Sequence, residues 1–183
     1  MAYYTRKGDN GNSSTISFAN IPKSDPIFDA IGNVDELNSA IGIAISHIRD
    51  NTLKGMLEDV QNDLFILGAE LASLKNTAIP IKAKVSDKMT EKLEAEIERL
   101  SANLPELKEF VIPGGTEGAA YLQFARSLAR RAERSIVAAS AKYEIGAAIK
   151  KYANRLSTLL FVAALYVNFQ EKTAERHPKY GES

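Results

Sequence analysis

Leucine and valine recur at Leu53, Leu57, Val60, Leu64, Leu67, Leu71 and Leu74, in steps of four and three residues that alternate without a break. No other pattern in the chain limits its fold as tightly. A 4-3 spacing puts all seven side chains on one stripe of an α-helix, a seam suited to shallow-angle packing in a bundle. A strand would scatter the same residues over both of its faces.

The segments around the seam carry helical stripes of their own. Ile27, Ile31, Val34, Leu37, Ile41, Ile45 and Ile48 form one, preceded by Asp25-Pro26, a cap followed by an N1 proline. Met89, Leu93, Ile97 and Leu100 form another, behind Ser86-Asp87 and running to about residue 103. Thr116 can cap a fourth helix reaching to about Lys142, with Leu122, Ala125, Ala129, Ala132 and Ile136 inside. Its alanines would let a neighbouring helix approach closely. A fifth has Gly146 near its start and Tyr152, Leu156, Leu159, Ala163 and Tyr166 on its apolar face. Pro80 marks a loop over 76–85, and Pro105 with Pro113-Gly114-Gly115 breaks the pattern again. Residues 1–24 are rich in Gly, Ser, Asn and Asp and read as a loop; the polar tail from Thr173 reads as a frayed end. No convincing strand is seen. The expectation is an all-α five-helix bundle: one domain over 1–183, with the bundle at 25–172 and a flexible tail at 173–183.

Composition narrows the chemistry. With 183 residues, 45% of them hydrophobic, the chain can bury one sizeable core. A net charge of zero argues against a general nucleic-acid binder. No cysteine means no thiolate nucleophile and no cysteine zinc site, and two histidines (His47, His177) exclude a multi-histidine centre within one chain. Any metal would be a hard cation such as Mg²⁺, held by oxygens and substrate phosphates. The polar N-terminus is no secretory signal, and no apolar run approaches the ~20 residues of a membrane span, so the expected location is cytoplasmic.

Against that neutral background, Arg126, Arg130, Arg131 and Arg134 crowd nine residues of the fourth helix. Arg126, Arg130 and Arg134 share one face, Arg131 points elsewhere, and Glu133 is the one acid among them. Planar guanidinium forks suit phosphate oxygens; a solvated or salt-bridged face is the plainer reading. The loop Thr5-Arg6-Lys7-Gly8-Asp9-Asn10-Gly11-Asn12-Ser13-Ser14 offers glycines, hydroxyls and two cations for phosphates, but it is no Walker A loop. Lys23 lies just beyond it. Asp35, if partly buried, needs a cation, and an arginine of the fourth helix is the obvious one. Phe110, before the Pro-Gly-Gly turn, reads on its own as a packing anchor. Asn154 and Arg155 could cap or bridge helices.

In this order the pieces resemble the PduO-type ATP:cob(I)alamin adenosyltransferases. The glycine-rich start is similar to T-K-T-G-D-x-G, with Arg6 and Lys7 in place of Lys-Thr. Gly32 to Ser39 resembles G-x-V-D-E-L-N-S, Phe110 to Gly115 F-x-x-P-G-G, Arg130 to Arg134 R-R-A-E-R, and Asn154 to Ser157 N-R-L-S. The resemblance runs from about Tyr4 to Asn168 and implies a homotrimer of ferritin-like five-helix bundles with active sites between subunits. It implies that Thr5, Arg6, Lys7, Gly8, Ser13, Ser14, Lys23, Arg130, Glu133, Arg134 and Asn154 hold ATP and Mg²⁺, and Arg131 joins them through the R-R-A-E-R string. Arg130, Arg134 and Phe110 would be the catalytic set. Asp35 would pair with Arg126 across the subunit boundary. Phe110 would line the corrinoid side and crowd out the lower axial ligand of cobalt. A reductase and an adenosylcobalamin-dependent enzyme are the implied partners.

Three positions depart from the family pattern: Thr158 stands where an Asp is usual, Gln123 where a His is usual, and Leu165 where an Arg is usual. Thr158 and Leu165 leave open a corrinoid- or nucleotide-binding carrier or sensor with weak or lost activity. A plain helical interaction module is a third reading.

Overall fold

A computed structural model describes residues 4, 6, 8–74 and 82–180. Five helices dominate it: α1 (Pro26–His47), α2 (Asn51–Ala72), α3 (Asp87–Ser101), α4 (Glu117–Ala139) and α5 (Ala147–Gln170). The expected bundle is the one observed. Two strands of two residues each, β1 (Asn12–Ser13) and β2 (Ile21–Pro22), pair antiparallel inside the N-terminal loop. That hairpin corrects the expectation of no strand. Gly11 at φ 82° and Asn20 at φ 53° supply the left-handed backbone at its ends.

Packing runs α2 on α1, α1 on α4, α4 on α5 and α5 on α3. The closest pairing, α1 with α4, rests on small residues. Ala30, Ala40 and Ala44 of α1 and Ala119, Ala125, Ala129, Ala132 and Ala139 of α4 are all buried. A Cβ on Gly118 would come within 3.0 Å of the His47 carbonyl oxygen, so the backbones nearly touch there. The α2 seam is buried from Leu53 to Leu71. Truncating one of these leucines to alanine would cost about 2–5 kcal/mol. The Tyr152 hydroxyl donates to Asp63 (3.0 Å) and the Tyr166 hydroxyl to Asp50 (3.1 Å), tying α5 to α2.

The helix ends follow their caps. Asp25 accepts from the Ile27 N–H (3.0 Å), Asp50 from those of Thr52 and Leu53, and Thr116 from that of Ala119. Gly146 is the N-cap of α5 rather than part of it. Helix α4 stops at Ala139, short of the expected Lys142; residues 140–142 turn instead and deliver Lys142 and Tyr143 to Asp25.

The larger correction is at the carboxyl end. The expected flexible tail is docked through residues 173–177. The Ile112 N–H donates to the Arg176 carbonyl (2.7 Å) in an antiparallel bridge, and His177 Nδ1 donates to the Phe110 carbonyl (2.9 Å). Polar composition hid this because the bonds use main-chain groups on the partner loop.

Candidate functional site

Helix α4 is the spine of the site. Thr116 starts it beside the Phe110 loop, and Ala139 ends it beside Tyr143, which stacks edge-on against Phe18 of the N-terminal loop (4.9 Å between centroids). Its 23 residues make it about 34 Å long at 1.5 Å per residue. Within one chain the N-terminal loop and Phe110 therefore lie at opposite ends of the bundle, with the arginines between them.

The N-terminal loop is folded back on itself. The Lys23 N–H donates to the Gly11 carbonyl (2.9 Å), the Asn20 N–H donates to Ser14 Oγ (3.0 Å), and Ser13 pairs with Ile21. The Lys23 ammonium lies against Gly8, where a Cβ would meet Nζ at 3.2 Å. Arg6 adopts φ 59° and stacks its guanidinium over Tyr4 (5.3 Å). Gly8, Ser13, Ser14 and Lys23 are thus brought into one small cradle. Thr5 and Lys7 lie outside the described residues.

The cradle is fastened by Asp25. Its buried carboxylate takes the Lys142 ammonium (2.5 Å) and the Tyr143 hydroxyl (2.8 Å) as well as the Ile27 N–H. Burial alone would raise its pKa. The bonds from Lys142, Ile27 and Tyr143 outweigh burial and hold it below the usual carboxylate range. The Ser17 N–H adds a bond to the Ala72 carbonyl at the end of α2 (3.0 Å).

The four arginines separate into three environments. Arg131 forms an ion pair with Glu36 of α1, so it is neutralised within the chain. Arg130 and Arg134 are exposed, and neither has a hydrogen-bond or ion-pair partner among the described residues. Arg126 is half-buried, donates through Nε to Gln123 Oε1 (2.8 Å) and lies over the Phe161 ring (5.8 Å). Burial, then the like charge of Arg130, pushes its pKa down. Asp35 is exposed and has no partner in the chain among the described residues, so it is not joined to Arg126 here. Asn154 bridges α5 to α4 by donating to Glu133 (2.8 Å), and Arg155 bridges α5 to α3 through Glu94 (2.8 Å).

Phe110 is 81% exposed and is therefore not the packing anchor its local sequence suggests. The anchor of its loop is Asn168, which the sequence reading missed. This residue is 1% exposed. Its Oδ1 accepts from the Thr116 N–H (3.0 Å), and its Nδ2 donates to the Gly114 carbonyl (3.1 Å) and to Glu175 (3.0 Å). A Cβ on Gly115, at φ 107°, would overlap the Asn168 amide. The glycine pair is required by that close approach. An amide in the apolar run Ala163–Phe169 was the available signal.

Comparison with known proteins agrees with this geometry. The profile of the cobalamin adenosyltransferase family matches residues 3–167. The chain belongs to that family. It is 35% identical over 184 residues to the corrinoid adenosyltransferase PduO of Citrobacter freundii, covering 97% of this chain but 55% of that protein. It thus spans about half the length of the PduO relatives it matches. It is 39% identical to another corrinoid adenosyltransferase of Citrobacter freundii, covering 88% of this chain and 92% of that one. A solved structure covers 98% of this chain and 100% of its own, at TM-score 0.91 and 35% identity. It is a phenylalanine-to-alanine variant of a PduO-type ATP:corrinoid adenosyltransferase from Lactobacillus reuteri complexed with cobalamin and ATP. An arginine-to-lysine variant from the same organism, complexed with ATP, matches at TM-score 0.88.

Proposed function

We propose that the chain transfers the 5′-deoxyadenosyl group of ATP to cob(I)alamin, giving adenosylcobalamin and triphosphate. The observation that carries this reading is the selective neutralisation on α4. Arg131 is paired with Glu36, while Arg130 and Arg134 stay exposed and unpaired among the described residues. Two free guanidinium groups on a helix of a neutral chain are placed to take a polyanion. In the reaction, cobalt(I) is itself the nucleophile. It attacks the 5′ carbon, the C5′–O bond breaks, and triphosphate leaves with the bonding pair. The protein has to align carbon and cobalt and to stabilise the leaving charge. Arg130 and Arg134 serve the second task, with the Gly8–Ser14 cradle and Lys23. The exposed Phe110 ring serves the corrinoid side by occupying the lower axial position.

A magnesium ion fits the donor set as a companion of the phosphates. Glu133 and Asn154 offer oxygens beside the arginines, and no group of three or more acidic or histidine side chains converges on one point among the described residues. The ion would supply charge neutralisation on the leaving group.

The same reading makes the working unit a homotrimer. The cradle and Phe110 of one chain are about a helix length apart, so ATP and corrinoid meet more naturally across a boundary between copies. Asp35, exposed and without a partner among the described residues, with Arg126 on the neighbouring helix, suits a pair across that boundary. No described helix is long and apolar enough to cross a membrane, and the reading takes the cytoplasm as the setting. It also calls for a reductase that delivers cobalt(I) and an enzyme that uses the product.

The test is an anaerobic assay with cob(I)alamin and Mg-ATP, following the cobalt spectrum and triphosphate. Adenosylcobalamin with stoichiometric triphosphate is expected. ATP binding without product would favour a corrinoid- or nucleotide-binding carrier, the reading that Thr158 and Leu165 motivate. No stabilisation by ATP would favour a helical interaction module, since a ligand at 100 times its Kd adds about 2.7 kcal/mol.

A further inference from the structure

After Gln170 the chain reverses direction. Lys172 adopts φ 54°, and the Thr173 N–H donates to the Asn168 carbonyl (2.8 Å), closing the end of α5. The next residues run antiparallel to the Phe110 loop and grip it at alternate positions. Glu175 takes the Asn168 amide that also holds Gly114 (3.0 and 3.1 Å). The Arg176 carbonyl accepts the Ile112 N–H at 2.7 Å. His177 Nδ1 donates to the carbonyl of Phe110 itself at 2.9 Å, with Glu109 3.9 Å from the same nitrogen. Three consecutive tail residues thus bear on residues 114 (through Asn168), 112 and 110, with Ile112 and Arg176 forming the antiparallel bridge.

The pattern holds the backbone of Phe110 and leaves its ring 81% exposed. Burying the ring would have stabilised the loop more simply. A polar tail that fixes the main chain while keeping an aromatic side chain outward is the arrangement expected where the ring's position, not its burial, matters. The loop has little structure of its own. Between Leu104 and Thr116, the bond from Ile112 to Arg176 is the one backbone–backbone bond that reaches outside the loop among the described residues.

We infer that residues 173–177 form a strap that positions Phe110, making Glu175 and His177 positioning residues for the corrinoid half-reaction. The inference rests on the adenosyltransferase reading for its consequence, but not for its geometry. Loosening the strap lets the ring leave the lower axial position. That handicaps cobalt(II) substrate under mild reduction, where the axial ligand must be displaced, more than pre-reduced cobalt(I). It leaves the nucleotide end untouched.

The experiment compares the full chain with His177→Ala, Glu175→Ala and a chain ending at Thr173, and with the conservative variants His177→Asn and Glu175→Gln. Hydrogen exchange of the ligand-free proteins is followed at the Ile112 amide, with the amides of α5 as the internal control. Turnover is measured with cobalt(II) under mild reductant and with cobalt(I), and KM for ATP is measured in both.

The expected result is an Ile112 amide exchanging at least tenfold faster in the alanine variants and the shortened chain, with α5 unchanged. Turnover should fall severalfold more with cobalt(II) than with cobalt(I), KM for ATP should stay within twofold, and the conservative variants should restore much of the loss. Unchanged Ile112 exchange would overturn the strap whatever the activities show. Faster exchange with equal losses on both cobalt states would overturn its positioning role. If the full chain lacks turnover with either substrate, the adenosyltransferase reading fails, and the exchange comparison still decides the strap.

Discussion

The two ends of α4 carry two irregular loops that are fastened by different chemistry. At the carboxyl end of the helix, the N-terminal loop is pinned by a charge: the buried Asp25 carboxylate gripping Lys142 and Tyr143. At the amino end, the Phe110 loop is pinned by a neutral amide, Asn168, and by the tail, through one main-chain bond to Arg176 and the His177 side chain. Lys142 is 59% exposed, so the first fastening is open to water, salt and acid. Asn168 is 1% exposed, so the amide at the centre of the second is shielded from all three, while His177 of the tail beside it is exposed. The difference matches the proposed tasks. A loop over a polyanion has to admit and release a charged substrate, whereas a ring that displaces an axial ligand has to stay where it is.

The comparison implies that the nucleotide side can be disabled without disturbing the Phe110 side. Arg130→Ala is the sharpest way to test it and carries the largest expected effect. Removing one preorganised donor to developing charge costs about 10²–10³ in kcat. Because Arg130 is exposed and unpaired among the described residues, the melting temperature should barely move. The ratio of cobalt(II) to cobalt(I) turnover should also stay put. Near-normal kcat would remove Arg130 from the site, and a changed ratio would show that the two ends are coupled.

Gly115→Ala attacks the other end. The new Cβ would overlap the Asn168 amide, on backbone at φ 107° that L residues rarely adopt. Strain of about 1–3 kcal/mol, with weakened Asn168 bonds, should lower Tm by roughly 2–12 °C. ATP affinity should remain within twofold by calorimetry. A protein of unchanged Tm would mean that the amide is not a rigid anchor.

These two residues also show what could be read from sequence. All five helices were legible because burial imposes its spacing on side chains, and Leu53 to Leu71 is the plainest instance. Arg130 and Arg134 were legible as a shared face, and Asp25-Pro26 as a cap. The second role of Asp25 was not, because Lys142 and Tyr143 lie 117 and 118 residues away. The pairing of Arg131 was not legible for a related reason, since its acid partner Glu36 sits on another helix. The docked tail left no trace because the Arg176 carbonyl and the Ile112 N–H are groups every residue carries. Side-chain patterns predict elements; contacts between loops depend on where those elements put the backbone.

The contrast in fastening gives a pH test of smaller size. The pKa of Asp25 is lower in the folded chain than when unfolded, so its contribution is fully present above the unfolded value near pH 4. It is lost as pH falls below that toward the folded value. Wild type should therefore lose stability in this window relative to Asp25→Asn, and the two melting curves should converge as pH drops. Asn also caps helices well, so Asp25→Asn isolates the charge, while Asp25→Ala should cost about 1 kcal/mol more through the lost cap. Parallel curves for wild type and Asp25→Asn between pH 3 and 7 would show that the clamp is not ionic. Asn168→Asp should show the opposite sign: it costs most at neutral pH, where a buried carboxylate would stand against the Gly114 carbonyl, and less as acid protonates it.

Thr158 offers the finest test, because it lies between the two ends and changes little around it. It is exposed on α5 one turn beyond Asn154, which holds Glu133 beside the arginines. Thr158→Asp would add a carboxylate on the face of Asn154, three residues from Arg155. As a surface change it should shift stability by no more than about 0.5 kcal/mol. If threonine weakens the site, the variant should turn over faster by less than tenfold, with the gain in kcat or in the Mg²⁺ dependence rather than in KM for ATP. The ratio of cobalt(II) to cobalt(I) turnover should again be unmoved, since Phe110 is held by Asn168 and the tail. A gain confined to cobalt(II) would instead place Thr158 on the corrinoid side. No gain at all would mean that the site works with threonine as it stands, and that the ion-paired and unpaired arginines of α4 already set its charge.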